Sequence, residues 1–187
     1  MTDRNQKWFI SLIVAVIAVA ILLLHGSSEL RYDRADILHG QIWRVFTGNF
    51  VHANWRHLAS DLAGLLLWTA LASYMETRRS YLIILIASGL GVGLGLLVLD
   101  PQVGWYVGLS GILHGLFAAS AIRLLSRKEW LGGLALTAAI ALKLMWEQRF
   151  GDLGTAKLLG VPVLVDAHLY GAVTGAVIVL ALLLFRR

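Results

Sequence analysis

A serine framed by glycines inside an apolar run, Gly108-Leu109-Ser110-Gly111-Ile112-Leu113-His114-Gly115, is the stretch of this chain best equipped for chemistry. A lone serine in a membrane helix ordinarily bonds its own backbone. Here Gly108 and Gly111 leave the hydroxyl uncrowded. A second polar island, Asp166-Ala167-His168, opens a later apolar run that carries Gly171 and Gly175. A serine hydroxyl is a weak nucleophile until a base takes its proton. Histidine suits that task near neutral pH. Ser110 and His168 therefore read as nucleophile and general base, working inside a membrane.

Other polar groups sit in the same apolar surroundings. His57 and Asp61 stand four apart at the start of one apolar segment, with His52 just ahead of them. Lys143 and Glu147 are four apart in another, and charge inside a span marks a candidate functional site. That pair reads either as an internal ion pair or as a pocket wall that seats substrate, with Asp166 and His52 as further pocket candidates. His114 lies four residues after Ser110, on the same helical face. His52, His57 and Asp61 are metal-ligating types. Their spacing lacks the glutamate between two histidines four apart that marks zinc-hydrolase helices, so no metal and no other cofactor is expected. His25 and His39 read as loop histidines without a catalytic part.

Composition sets the solvent. Of 187 residues, 58% are hydrophobic and 14% charged, and the mean hydropathy is +0.75. A soluble domain is far closer to balance. Long apolar runs recur throughout, which predicts an all-α polytopic membrane protein with residues 1–187 as a single domain. The net charge of +5 would suggest nucleic acid in a soluble protein. Here the basic residues fall mostly in short loops, where they set orientation instead, and no nucleic-acid partner is expected. The chain has no cysteine, which excludes disulfides, thiolate metal sites and a cysteine nucleophile.

Six spans are predicted, at about 8–24, 58–74, 81–99, 110–125, 130–146 and 163–185. The first is read as an uncleaved span: its apolar run exceeds a usual signal-peptide core, and Leu24-His25-Gly26 is not a small-x-small cleavage site. Residues 25–56 form the longest connection, and a loop of that length is usually functional. Its aromatics, Trp43, Phe46, Phe50 and Trp55, suggest contact with the membrane interface. Gly89, Gly91, Gly93 and Gly95 permit close helix contact, though alternate positions cannot share one face.

With the N-terminus inside, the cytoplasmic segments hold Arg4, Lys7, Arg78, Arg79, Arg123, Arg127, Lys128, Arg186 and Arg187. The outer segments hold Arg31, Arg34, Arg44, Arg56, Arg149 and Lys157, four of them in the one long connection. Both termini are thus expected in the cytoplasm. Spans two, four and six then all run inward, which brings His57, Asp61, Ser110 and His168 to one depth in the outer half of the bilayer.

The fourth span also predicts water. Residues 110–125 make about 24 Å of helix at ~1.5 Å per residue, short of a hydrocarbon core about 30 Å thick. The preceding residues must cover the rest as irregular backbone, which is tolerated at that depth only against protein or a water-filled cavity. A wet pocket ending at Ser110 follows. The helix start offers free N–H groups and partial positive charge for a developing oxyanion. Gly111 with Gly115, and Gly171 with Gly175, are small-xxx-small pairs that would let the two helices close on each other and bring His168 to Ser110.

These residues resemble the rhomboid family of intramembrane serine proteases. Gly108-Leu109-Ser110-Gly111 is similar to its Gly-x-Ser-Gly nucleophile motif, and Ala167-His168-Leu169-Tyr170-Gly171-Ala172-Val173-Thr174-Gly175 to its Ala-His-x-x-Gly-x-x-x-Gly motif. Trp43-Arg44 with Thr47, then His52 and His57, look like the family's first loop and second helix, and Glu76-Thr77-Arg78 like its Glu-x-Arg. Within the family, Lys143-Leu144-Met145-Trp146-Glu147 and Val165-Asp166-Ala167-His168 most resemble rhombosortases, which act on proteins ending in a glycine-glycine, transmembrane and basic tail.

The resemblance implies a six-helix rhomboid-like bundle and a Ser110–His168 dyad without a third acid. It also implies oxyanion binding by His57 and the Ser110 N–H, and a membrane-anchored protein substrate with a C-terminal transmembrane tail. A bacterial inner (plasma) membrane location is expected. Asp61 departs from the family's asparagine. An ionised carboxylate only accepts hydrogen bonds, so Asp61 either helps the oxyanion in protonated form, orients His57 or pairs with Lys143. His114 stands where many members have a tyrosine, and a packing role against His168 is expected. The alternative function is a catalytically inactive rhomboid-like protein that binds membrane clients. A channel ranks lower, because the polar residues gather on one side of the bilayer.

Overall fold

The first helix begins before the apolar run does. In the computed structural model, which describes residues 2–185, α1 spans Asp3–Leu23. Thr2 accepts the Asn5 N–H at 3.3 Å, and Asp3 places negative charge at the positive end of the helix. Lys7 is buried, with its ammonium donating to Asp3 at 2.9 Å and to the Glu76 carbonyl. The polar leader is thus part of the bundle and not a tail ahead of it. Arg186 and Arg187 lie outside the described residues.

The long connection folds into short pieces: α2 (Ser27–Leu30), β1 (Tyr32–Asp33), α3 (Arg34–Leu38), α4 (Arg44–Thr47) and a 3-10 turn at Gly48–Phe50. The buried Arg44 ties them, donating to the carbonyls of Ser28 at 2.8 Å and Arg31 at 3.1 Å, to Gln41, and to Asp36. Its aromatics divide. Trp43 and Trp55 are exposed, whereas Phe46 and Phe50 meet edge to face at 5.2 Å and pack into the core. The two phenylalanines therefore turn into the protein, because the connection folds back over the bundle.

The remaining elements are α5 (Trp55–Met75), α6 (Arg78–Leu99), β2 (Trp105–Tyr106), α7 (Ser110–Ser126), α8 (Trp130–Phe150), α9 (Thr155–Leu159) and α10 (Val165–Leu184). Asn54 caps α5 by accepting the His57 N–H at 2.9 Å, and Thr77 caps α6 from Ser80. α1, α5, α6, α8 and α10 are each long and apolar enough to cross a membrane, while α7 has 17 residues. The segment before α7 is irregular apart from β2, which pairs antiparallel with β1 through Tyr32 with Tyr106 and Asp33 with Trp105. The early connection is thereby fastened to the backbone that leads into Ser110.

Glycines let the site helices close. A Cβ on Gly171 would land on the Gly111 carbonyl oxygen, and one on Gly175 on that of Gly115. α7 and α10 thus touch backbone to backbone, the closest pairing in the bundle. The alternate glycines of α6 serve two faces. Gly89 and Gly93 admit Phe46 and the Val45 carbonyl from the connection, while Gly91 and Gly95 admit Thr174 and Tyr170 of α10. α8 is the loosest helix, mostly exposed and burying only Gly133 and Glu147, as suits a helix bathed in lipid.

Candidate active site

Ser110 is the first residue of α7, and no side chain caps the free N–H groups of that turn. Its Oγ lies 3.0 Å from His168 Nε2. The Gly111–Gly171 contact one residue further along α7 sets that distance. His168 Nδ1 lies 2.9 Å from Glu147 Oε2. A carboxylate only accepts, so His168 donates from Nδ1 and leaves Nε2 as the acceptor for the serine proton. Lys143 donates to the other oxygen, Oε1. The resemblance implied no third acid, yet here one touches the histidine. It arrives from α8, a helix whose sequence revealed only that Lys143 and Glu147 share a face.

His114 stacks on His168, ring centres 4.0 Å apart and planes inclined by 17°. Its Nδ1–H donates to the Ser110 carbonyl at 2.8 Å. His114, Glu147 and His168 bring three ligand atoms within 4.8 Å of one another, a cluster different from the one considered in the sequence. Imidazole lone pairs lie in the ring plane. Two near-parallel rings 4.0 Å apart cannot aim both lone pairs at one ion. Glu147 is also committed to Lys143 and His168. The residues present fit a hydrogen-bonded relay better than a metal.

On the other wall, Asp61 Oδ2 accepts the Leu109 N–H at 2.8 Å and stands 3.0 Å from His52 Nε2 and 3.4 Å from His57 Nε2. It does not pair with Lys143. His52 Nδ1 faces the Phe50 carbonyl at 3.2 Å. Both nitrogens of His52 thus meet oxygens. The His57 Nδ1 atom is buried without a partner among the described residues. Gly108 completes this wall with φ +124°, and a Cβ there would come 2.7 Å from His57 Nε2. The position admits only glycine.

A cavity of about 390 Å³ opens between these walls, lined by His57, Asp61, Ser110, His114, Lys143 and His168 and otherwise mostly by apolar groups of α7, α8 and the segment between α8 and α10. Of the four expected pocket residues, Lys143 alone lines it. Glu147 is buried behind His168, His52 behind Asp61, and Asp166 points away to an exposed bond from Gln148 at 3.2 Å. Three contributors escaped the sequence reading. Tyr106 donates to the Gly108 carbonyl at 2.7 Å and braces the turn. Ser60 adds a hydroxyl, and the segment after α8 closes one side through Thr155, Leu159 and Pro162. That segment is held by the Asn54 amide donating to the Leu159 carbonyl at 2.9 Å. Only Asn54, as a helix cap, carried any local signal.

A membrane-embedded helical bundle with a serine, a histidine and a carboxylate in series around a cavity is the class these features define. Residues 39–185 match the model of the rhomboid domain, and the chain belongs to the rhomboid family. It is 28% identical over 96 residues to the provisionally named rhomboid protease YdcA of Bacillus subtilis (strain 168), covering 51% of this chain and 48% of that protein. It is 35% identical over 81 residues to rhomboid-like protein 11, chloroplastic, of Arabidopsis thaliana, covering 43% of this chain and 29% of that one. The chain thus matches about half the length of the first relative and under a third of the second.

Proposed function

We propose that this protein is an intramembrane serine endopeptidase. The observation that carries the reading is the 3.0 Å contact between Ser110 Oγ and His168 Nε2 at the edge of a cavity. The Ser110 proton passes to His168 Nε2 as Oγ bonds the scissile carbonyl carbon. The N-terminal N–H groups of α7 and the His57 ring stabilise the oxyanion. His168 then returns its proton to the leaving amine, and water entering the cavity hydrolyses the acyl-enzyme. The fold is read as six spans with both termini cytoplasmic, α7 being the short one, in a bacterial inner membrane. Rhombosortase-like processing of membrane-anchored proteins with a glycine-glycine C-terminal tail is the substrate reading, supported by the sequence around Lys143 and His168.

A second reading, a rhomboid-like protein that binds clients without cleaving them, is favoured by one observation. Asp61 accepts from Leu109 and presents no amide donor to an oxyanion. Labelling by a fluorescent fluorophosphonate in detergent separates the two. Cleavage chemistry requires that wild type label and that Ser110→Ala and His168→Ala lose the label. Folded wild type that does not label favours the client-binding reading.

A further inference from the structure

We infer that Glu147 is a positioning residue that holds His168 with its proton on Nδ1, and that Lys143 in turn anchors Glu147. The inference rests on the protease reading above and deepens it.

Glu147 is an anomaly of placement. α8 exposes nearly all of its side chains and buries just Gly133 and Glu147. A carboxylate is costly to withdraw from water beside lipid, so its burial at 2% exposure requires partners for both oxygens. Lys143, one turn earlier, supplies a cation to Oε1. If an ion pair within the helix were the whole role, Oε2 would be free to face any donor or solvent. It instead meets His168 Nδ1 at 2.9 Å, and His168 Nε2 meets Ser110 at 3.0 Å. The four groups form one chain in which each donor has a single acceptor.

The chemistry follows from proton positions. A neutral imidazole has two tautomers, and only the Nδ1–H form presents a lone pair to Ser110. The Glu147 carboxylate selects that form and stabilises the imidazolium produced when the serine proton arrives. The Lys143 ammonium offsets the carboxylate charge, so the site need not hold a lone anion. The His114 ring stacked on the other face of His168 limits tilting. Glu147 touches neither substrate nor the reacting atoms; it acts through the histidine.

The decisive experiment combines a rate with a spectroscopic signature on the full chain in detergent micelles. Fluorophosphonate labelling rates are measured for wild type, Glu147→Gln, Glu147→Asp and Lys143→Met, with Ser110→Ala as blank. Histidine ring 15N and 1H signals are assigned by the loss of one set in His168→Ala. A glutamine can offer N–H to Nδ1 and so favours the wrong tautomer. Labelling by Glu147→Gln is expected to fall about 10²- to 10⁴-fold, with partial recovery in Glu147→Asp and a smaller, about tenfold, loss in Lys143→Met.

The wild-type His168 signal is expected to be that of Nδ1–H bonded to a carboxylate, and this pattern is expected to vanish in Glu147→Gln. Labelling of Glu147→Gln at the wild-type rate overturns the inference. So does a wild-type His168 in the Nε2–H tautomer, a readout that does not require the Glu147 or Lys143 variants to fold. Wild type that never labels overturns the protease reading alone, and the tautomer still decides whether Glu147 positions His168.

Discussion

Two buried carboxylates, Asp61 on α5 at the cavity wall and Glu147 on α8 behind His168, each meet a histidine. Their surroundings differ in one respect. Glu147 has a lysine on its second oxygen and the Nδ1 edge of His168 on the first, and the Nε2 edge of His168 faces Ser110. Among the described residues no lysine or arginine pairs with Asp61. Its Oδ2 gathers the Leu109 N–H, His52 and His57, and His52 is engaged at both ring nitrogens. The Glu147 side joins a lysine to the histidine beside Ser110, and the Asp61 side holds the Gly108–Leu109 turn in place through the Leu109 N–H.

Amide substitution sharpens that contrast most. Glu147→Gln is expected to lower labelling by two orders of magnitude or more. Asp61→Asn keeps an acceptor for the Leu109 N–H and sacrifices one hydrogen bond. It is expected to label within about fivefold of wild type and to lose about 1 kcal/mol of stability. A collapse of labelling in Asp61→Asn to the level of Glu147→Gln would erase the distinction. Asp61→Leu removes the acceptor altogether and strands the Leu109 N–H and His52. A loss of about 2–5 kcal/mol is expected, read as a lowered Tm in detergent, and an unchanged Tm would refute the holding role.

The smallest effect belongs to a carboxylate outside both walls. Asp152, in the connection after α8, accepts the Ala156 N–H at 2.8 Å, and that bond holds its carboxyl below the ordinary range. A depressed carboxyl contributes stability that is present above about pH 4 and lost as pH falls through its folded value. Asp152→Ala is expected to lower Tm slightly at pH 7, by an amount that shrinks as pH falls below about 4. An equal drop at both pH values would mean the contribution is not electrostatic.

Local signals carried much of the architecture. The apolar runs marked where α5 to α8 and α10 lie to within a few residues, because hydropathy over a helix length depends on sequence neighbours alone. The shortness of the fourth segment correctly foretold non-helical backbone ahead of Ser110. The paired glycines in 111–115 and 171–175 announced the backbone contact of α7 with α10. The start of α1 was misplaced because the burial of Lys7 depends on the distant Glu76 carbonyl. The fate of Phe46 and Phe50 was missed because it depends on the connection folding back onto the bundle.

The sequence by itself determined that this chain suits a membrane, that it is helical, and that the motifs around Ser110 and His168 follow a rhomboid pattern. These follow from composition, periodicity and motif spacing, which are properties of the chain. The tertiary structure alone decided which acid meets which histidine. Lys143 and Glu147 four apart specify a shared face, but not which way that face turns. The rotation of α8 about its axis, set by its contact with α7, places Glu147 behind His168 and leaves Lys143 on the cavity. The pairing of Tyr32 with Tyr106, more than seventy residues apart, likewise fixes the turn before Ser110 through backbone bonds that no local pattern encodes.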